Sequence, residues 1–423
     1  MFYFRTNVEE LLIQNEWWEK GEISKDKAKV YHRKVYEKAL DTFSKYRQIL
    51  VLAGLRRTGK TTIMYQIIEN LIERGIDPKK ILYFSFDKKI EDILEILKSY
   101  GRITKINWRK EKIFLFLDEI HKLRDWSSKI KIIYDSLPNI KMCISGSASL
   151  TMESEVIDNL AGRYFKIEVK PLSLQEYAEL YYGKSINDYD LYKTELESVF
   201  QDYIRKPFPE LVRIEDREKI CEYIKSIIVE KILGSDIPIV FRNVRVDLLI
   251  TLAEIFFRSP GMIMNLDEMS KKLHIHKMTL KEHIHYLEFG KMIRLIKNFR
   301  PSILSESRKM PKIYPLHPCF SFAYFADVEK GRIYENLVMN ALDLTNYFRE
   351  NKLEVDFIKR NGGILPIEVK SKRNIEADDI KNLVKFGKKF GVKKAILISE
   401  EEERNISVNG IDINIVPITK ILF

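Results

Sequence analysis

The chain has 423 residues, 45% hydrophobic and 31% charged, with 72 Lys and Arg against 61 Asp and Glu and a formal net charge of +11. The length excludes a single hydrophobic core, since domains run to about 100–200 residues, and the composition excludes a disordered chain. No apolar run reaches the ~18 residues of a membrane span, and the positive balance fits either a polyanionic partner or the solvated Lys- and Glu-rich surface of heat-adapted proteins.

Met1–Glu10 has no long apolar core, so it does not read as a secretory signal; a cytoplasmic location without a membrane partner is expected. Cys143, Cys221 and Cys319 stand far apart with no Cys-x-x-Cys pair, which argues against a disulfide framework or a thiolate zinc site. Over the first 170 residues, apolar runs bounded by turns or charges predict strands at Gln48–Ala53, Ile81–Phe86, Ile113–Leu117, Ile140–Ser145 and Tyr164–Val169. Helical patterns at Ile63–Arg74 and Lys129–Leu137 lie between them, and this alternation is that of a parallel α/β sheet.

Pro171 breaks the pattern. Leu174–Tyr182, Asp190–Arg205 and Asp216–Leu233 then read as a helical lid. Val246–Phe257, Leu266–Leu273 and Lys277–Phe289, followed by a wing strand at Met292–Phe299, read as a winged helix-turn-helix. Pro301, Pro311, Pro315 and Pro318 mark a linker. Beyond it a helix at Ile333–Phe348 and alternating segments at Val355–Lys359, Ile364–Lys370, Ala377–Phe390, Lys394–Ser399 and Ile413–Pro417 predict a smaller α/β domain. The expected layout is an N-terminal helical segment (1–40), a P-loop core (41–170), a lid (171–240), a winged helix (241–300) and the second α/β domain (301–423), an α/β multidomain fold.

Gly54-Leu55-Arg56-Arg57-Thr58-Gly59-Lys60-Thr61 fits G-x-x-x-x-G-K-[ST], with a strand before it and a helix, opening through Thr62, after it. Glycines let successive N–H groups turn toward a phosphate, and the helix N-terminus adds its positive end. ATP and Mg²⁺ are therefore the expected cofactors, with Lys60 on the β- and γ-phosphates and the Thr61 hydroxyl on the metal. Ile113–Leu117 delivers Asp118 beside that metal and Glu119 toward the attacking water. Ser145 and Ser147 end the next strand, where one of them would sense the γ-phosphate or both would serve only the turn. Arg163 reads equally as an arginine finger acting on a neighbouring copy, which implies a homo-oligomer, or as a surface or lid salt bridge.

Asn15-Glu16-Trp17-Trp18, the Gly54–Thr61 loop, Leu117-Asp118-Glu119-Ile120-His121, Ser145-Gly146-Ser147, Ala161-Gly162-Arg163 and Pro171-Leu172-Ser173 follow one another in this order. Together they resemble the prokaryotic AAA+ ATPases fused to a C-terminal domain of unknown function with a nuclease-like core. The resemblance covers most of the chain. It departs at Arg205-Lys206-Pro207-Phe208-Pro209-Glu210, where relatives carry glycines before the Phe-Pro. It implies an ASCE-type AAA+ core, a lid, a winged helix and a restriction-endonuclease-like domain.

In that last domain Glu354-Val355-Asp356-Phe357 and Ile367-Glu368-Val369-Lys370 lie on neighbouring strands turned by Asn361-Gly362-Gly363. Alternation puts Glu354 with Asp356, and Glu368 with Lys370, on a common face. Asp356, Glu368 and Lys370 would converge, with Glu335 entering from a helix. Carboxylates holding Mg²⁺ beside a lysine suit phosphodiester hydrolysis, with Asp356 and Glu368 as metal ligands. The pattern resembles the PD-(D/E)xK nucleases, although Val355 stands where their proline does. A nucleic-acid-binding relic of that fold, or an exposed sheet face with alternating charges, has the same string.

His274, His276, His283 and His285 are not spaced for one metal on a helix. Lys271, Lys272, His274, His276, Lys277 and Lys281, with Thr279 and His283, suit a DNA-facing winged helix, and such modules also bind proteins. Trp17 and Trp18 are expected to pack the N-terminal segment onto the core. The functional expectation is an ATPase acting on DNA, with a metal-dependent nuclease in view; the competing class is a nucleotide-driven switch that binds a protein partner.

Overall fold

The computed structural model describes residues 8–87, 92–146, 158–241, 243–300, 302, 306, 310–360 and 362–423. The chain forms two compact units, Met1–Pro171 and Leu172–Phe423. No helix among the described residues is long and apolar enough to cross a membrane.

The first unit is built on β1 (Ile49–Ala53), β2 (Ile81–Ser85), β3 (Ile113–Asp118), β4 (Ile140–Gly146) and β5 (Tyr164–Glu168). They pair in parallel in the order β2-β3-β4-β1-β5. Ile49, Leu50, Val51, Leu52 and Ala53 are all fully buried, as a parallel strand covered on both faces requires. Helices α1 (Val8–Gln14), α2 (Trp17–Lys20), α3 (Lys25–Ala28), α4 (Lys34–Lys45), α5 (Lys60–Glu73), α6 (Ile93–Thr104) and α7 (Trp126–Ser136) complete the unit.

β2 is an edge strand, and an edge exposes a row of unpaired backbone groups. Here the segment between α1 and α2 covers it with side chains. The indoles of Trp17 and Trp18 both donate to Ile81 O, at 3.1 and 2.7 Å. Asn15 pairs with Tyr83 as a strand residue would: Tyr83 N donates to Asn15 Oδ1 (2.7 Å) and Asn15 Nδ2 donates to Tyr83 O (2.9 Å). Ser85 N donates to Gln14 Oε1 at 2.9 Å. Both tryptophans are buried, so beyond packing the segment they terminate the sheet.

The second unit opens with α8 (Leu174–Tyr182), started by a capping box between Ser173 and Glu176, and α9 (Lys193–Arg205). α10 (Arg217–Glu222) runs into widened helical turns over Tyr223–Val229 and Ile232–Asp236, then α11 (Ile237–Val240). Next come α12 (Val246–Arg258), β6 (Met262–Ile263), α13 (Leu266–Leu273), α14 (Lys277–Phe289), β7 (Ile293–Asn298), β8 (Lys312–Pro315), α15 (Pro318–Tyr324) and α16 (Lys330–Ala341). The chain ends with β9 (Asn346–Glu350), β10 (Leu353–Arg360), β11 (Ile364–Val369), α17 (Lys381–Phe390), β12 (Lys394–Ser399), β13 (Arg404–Val408), β14 (Ile411–Pro417) and α18 (Ile418–Leu422). Among the described residues, β6 to β14 of this unit form one mixed sheet in the order β13-β14-β12-β11-β10-β9-β7-β8-β6.

Two expectations need correction. The proline-marked stretch is not a plain linker: Lys312–Pro315 is a strand paired to both β6 and β7, and Pro318 sits in the first turn of α15, where its missing N–H costs nothing. The helix expected over Ile333–Phe348 stops at Ala341. Asp343 then takes a left-handed conformation (φ 52°), and the β-favouring Tyr347 and Phe348 belong to β9.

Candidate functional site

The loop after β1 turns through Arg57 (φ 64°) and Gly59 (φ 93°) into α5. A side chain at Gly54 would place its Cβ 2.3 Å from Val169 O, so only glycine fits there. α5 has no side-chain cap and no acidic residue in its first turn, which leaves its leading N–H groups to an anion. Lys60 Nζ donates to Gly54 O (3.1 Å) and Leu55 O (2.9 Å), and Thr58 Oγ1 donates to Leu55 O at 2.9 Å. Leu55 is buried, and Thr62 is half-buried in the first helical turn.

Arg33 braces this loop, and no sequence motif marked it. The buried guanidinium donates through Nη1 to Thr58 O (2.7 Å) and through Nη2 to Lys170 O (3.1 Å) and Pro171 O (3.3 Å). One rigid fork thus ties the phosphate loop to the segment that follows β5.

Asp118, at the end of β3, is buried and collects donors on both oxygens. Oδ2 accepts from Thr61 Oγ1 (2.6 Å) and Tyr83 Oη (2.9 Å). Oδ1 accepts from Ser145 Oγ and from Glu119 N (3.1 Å). The Ser145 hydroxyl also accepts from Glu119 N at 3.2 Å, so it bonds both the Asp118 carboxylate and the Glu119 backbone. Ser147 lies outside the described residues. Glu119 has left-handed backbone (φ 54°), which swings it off the strand line; its Oε2 lies 3.6 Å from the buried His121 Nε2 and 3.9 Å from Lys122 Nζ. A hydroxyl and a carboxylate oxygen 2.6 Å apart, both hard donors beside an uncapped helix N-terminus, fit magnesium accompanying a nucleotide.

Arg163 lies where β5 begins, its carbonyl accepting from Ile49 N at the start of β1, whereas the phosphate loop follows the end of β1. The guanidinium makes a two-pronged pair with Asp135, Nε–Oδ1 and Nη2–Oδ2 both 3.0 Å. It does not reach its own chain's phosphate loop, so a finger role would require a neighbouring copy and the opening of this pair.

In the second unit, β10 and β11 pair antiparallel, with Phe357 opposite Ile367. On its other side β10 changes register against β9 between Val355 and Ile358, one residue more on β10 than on its partner. Simple alternation therefore does not describe this strand: Val355 and Ile358 enter one core layer and Phe357 the other. Asp356 Oδ2 accepts from Val369 N (2.9 Å), and Lys370 Nζ donates to Glu368 Oε1 (2.8 Å). Glu368 Oε2 is buried with no hydrogen-bond partner among the described residues. Glu335, from α16, accepts from Tyr314 Oη at 2.5 Å.

Two residues of β8 join this cluster without any motif to announce them. Lys312, almost wholly buried, pairs with Glu354 Oε1 at 2.9 Å. Burial disfavours its charge, but Glu335, Asp356 and Glu354 outweigh that and hold it protonated. Burial, then the charge of Asp356, pushes Glu335 up to about 7 and Glu368 up to about 8. Glu335, Asp356, Glu368 and Lys370 are thus in one electrostatic neighbourhood. No group of three or more His, Cys, Asp or Glu among the described residues is placed to hold a metal ion. The expected cation would have two side-chain ligands here, Asp356 and the unpartnered Glu368 oxygen.

The histidines have structural work. His283 is buried, accepting from Arg245 N at 3.0 Å through Nε2 with Nδ1 against Thr279 O at 2.8 Å; His276 caps α14 through Met278 N; His274 ends α13 in a left-handed turn. His285 packs edge-on against Phe241.

Comparison with known proteins fits this geometry. Residues 174–318 match a domain of unknown function (DUF8612), and residues 330–421 another (DUF4143). The chain is 26% identical over 376 residues to the uncharacterized protein MJ1544 of Methanocaldococcus jannaschii, covering 83% of this chain and 78% of that one. It is 36% identical over 161 residues to MJ1637 of the same organism, a match spanning 37% of this chain and 31% of the relative's own length. Among solved structures, the replication initiator DnaA bound to AMPPCP and single-stranded DNA aligns at 15% identity over 61% of this chain and 87% of its own, with a TM-score of 0.28, too slight a likeness to bear on function. Residues 46–178 match the AAA domain family, so the stretch that carries the phosphate loop, Asp118 and Glu119 is an AAA-type nucleotide-binding ATPase domain.

Proposed function

We propose that the chain hydrolyses ATP to act on DNA, with residues 41–170 as the ATPase core, 171–240 as a lid, 241–300 as a winged helix and 301–423 as a nuclease-like domain. The observation that carries the hydrolytic half is the meeting of Thr61 Oγ1 and Asp118 Oδ2 at 2.6 Å beside Lys60 and the start of α5. Lys60 and the α5 amides bind and orient the phosphates, Thr61 and Asp118 hold the metal, and Glu119 takes the proton of the attacking water. A magnesium ion would be held by Thr61 and Asp118 and would supply positive charge that offsets that of the phosphates.

The DNA half is supported by α12, α13 and α14 beside the antiparallel β7-β8-β6 strands, with β6 between α12 and α13 and β8 contributed from beyond residue 300, an order compatible with a winged helix. α14 exposes Lys277, Met278, Lys281 and His285. The unpartnered Glu368 oxygen beside Asp356 and Lys370 supports metal-dependent cleavage. One observation favours a second reading, a nucleotide-driven switch that binds a protein and cuts nothing. Lys312 already supplies a cation among Glu335, Glu354 and Asp356.

The test is ATP turnover with and without duplex or single-stranded DNA, with cleavage scored in the same tubes. Stimulated turnover supports the DNA reading. Metal-dependent products that disappear in Asp356→Ala and Lys370→Ala, with ATP turnover retained, support the nuclease. Turnover indifferent to DNA, with no products in Mg²⁺ or Mn²⁺, leaves the switch.

A further inference from the structure

We propose that Tyr83 is a positioning residue of the magnesium–nucleotide site, held in place by the Gln14–Trp18 segment through its cover of the edge strand. The inference rests on the reading of Thr61 and Asp118 as the metal-holding pair.

Asp118 has to present a fixed oxygen toward Thr61. A carboxylate turns about its last torsion at little cost, since that torsion is broad and two-fold. Tyr83 restrains it, because its hydroxyl donates to the same oxygen, Oδ2, that accepts from Thr61. Oδ1 is fixed in turn by Ser145 and by Glu119 N. Thr61 would meet a metal through an oxygen lone pair and keep its proton for Asp118, so Thr61 and Tyr83 together hold Oδ2 in place, with Tyr83 the donor that is not itself a metal ligand.

The tyrosine is itself fixed from two directions. Its backbone N–H and C=O both bond the Asn15 side chain, so β2 cannot slide along the edge without breaking that pair. Its ring lies tilted against Tyr65, centroids 4.8 Å apart, and Trp17 meets Tyr65 edge-on, centroids 6.4 Å apart. Tyr65 stands four residues after Thr61 in α5, so both lie on one face of the helix that leaves the phosphate loop. The edge-strand cover, the aromatic stack and the metal-facing carboxylate are therefore one continuous set of contacts from Trp17 to Asp118.

Partners of a metal ligand typically change metal affinity by about 10–100-fold when removed. The test is the Mg²⁺ dependence of binding of a fluorescent ATP analogue to the full chain, measured for the wild type, Tyr83→Phe and Asp118→Asn, with thermal unfolding of each. Tyr83→Phe keeps the ring stack and loses only the hydroxyl. It should bind the analogue in EDTA as the wild type does, and need about 10-fold more Mg²⁺ to reach the tight form. Asn15→Ala keeps the hydroxyl but loosens the strand, and should shift the Mg²⁺ midpoint in the same direction by a smaller factor. If Tyr83→Phe unfolds earlier yet keeps the wild-type Mg²⁺ midpoint, or changes neither, the positioning role is wrong. If Asp118→Asn keeps the wild-type Mg²⁺ dependence, it is the metal-site reading that fails.

Discussion

The Lys60 ammonium rests on two neutral carbonyls of its own loop, Gly54 O and Leu55 O. A charged phosphate is a stronger acceptor than either, so an incoming nucleotide displaces them readily. Lys60→Ala should therefore abolish tight Mg-ATP binding by calorimetry, while Glu119→Gln should bind normally and turn over at least ~100-fold more slowly. Normal turnover in the second variant would remove Glu119 as the base. Arg33 gives a different kind of prediction. Its fork reaches Thr58 O on one side and Lys170 O and Pro171 O on the other, a span a single ammonium cannot reproduce. Arg33→Lys should lower both the unfolding temperature and nucleotide affinity, the latter by about tenfold, the scale of one charged hydrogen bond lost at ~1.5 kcal/mol. Unchanged affinity by titration would reduce Arg33 to a packing residue.

At the scale of elements, the strands of the ATPase sheet were legible because each is a short apolar run that must be buried on both faces. The phosphate loop was legible because its glycines and lysine obey a fixed spacing. Other features have no linear signature. Side chains that stand in for a missing strand, as Gln14, Asn15, Trp17 and Trp18 do, follow no period. Lys312 and Tyr314 come from a strand hidden among prolines, and they meet Glu335 and Glu354 only through the fold. The register shift between Val355 and Ile358 interrupts the two-residue alternation beyond Asp356, which the sequence pattern does not announce. Arg163 also belongs to this scale, because its meaning depends on where β5 starts. If the Asp135 pair is its whole role, Arg163→Ala should lower stability slightly, as a partly exposed ion pair does, and leave turnover alone at every protein concentration. Turnover that rises with concentration in the wild type and is lost in the variant would instead establish a finger working between copies.

For the whole molecule, the carboxylate cluster sets a dependence on pH. Glu335 and Glu368 protonate at about 7 and about 8 when folded, against an ordinary glutamate near 4.5. The folded chain then binds more protons than the unfolded one between those values. Their contribution to stability is full below about pH 4.5 and is lost as pH rises toward 8. Calorimetric unfolding should show this fall, Glu368→Gln should flatten it, and Mn²⁺ at the alkaline end should restore stability if Asp356 and Glu368 bind the ion. A wild-type profile that superimposes on that of Glu368→Gln would contradict the assignment.

The seam between β7 and β9 has a consequence for how this protein can be divided. Lys297 and Asn298 lie opposite Asn346 and Tyr347, and the Asn298 amide bonds Arg349 in both directions, N–H to oxygen at 3.1 Å and amide nitrogen to carbonyl at 3.0 Å. Strands that precede residue 300 and strands that follow residue 345 are therefore neighbours in one ladder rather than parts of separable modules. A fragment beginning at residue 330, where the matched C-terminal family begins, would bare the edge of β9 that meets β7 and lose Lys312 and Tyr314 from the acidic cluster. Such a fragment is expected to self-associate through the bared strand. A nick introduced between β7 and β9 should leave two polypeptides that co-purify and separate only in denaturant.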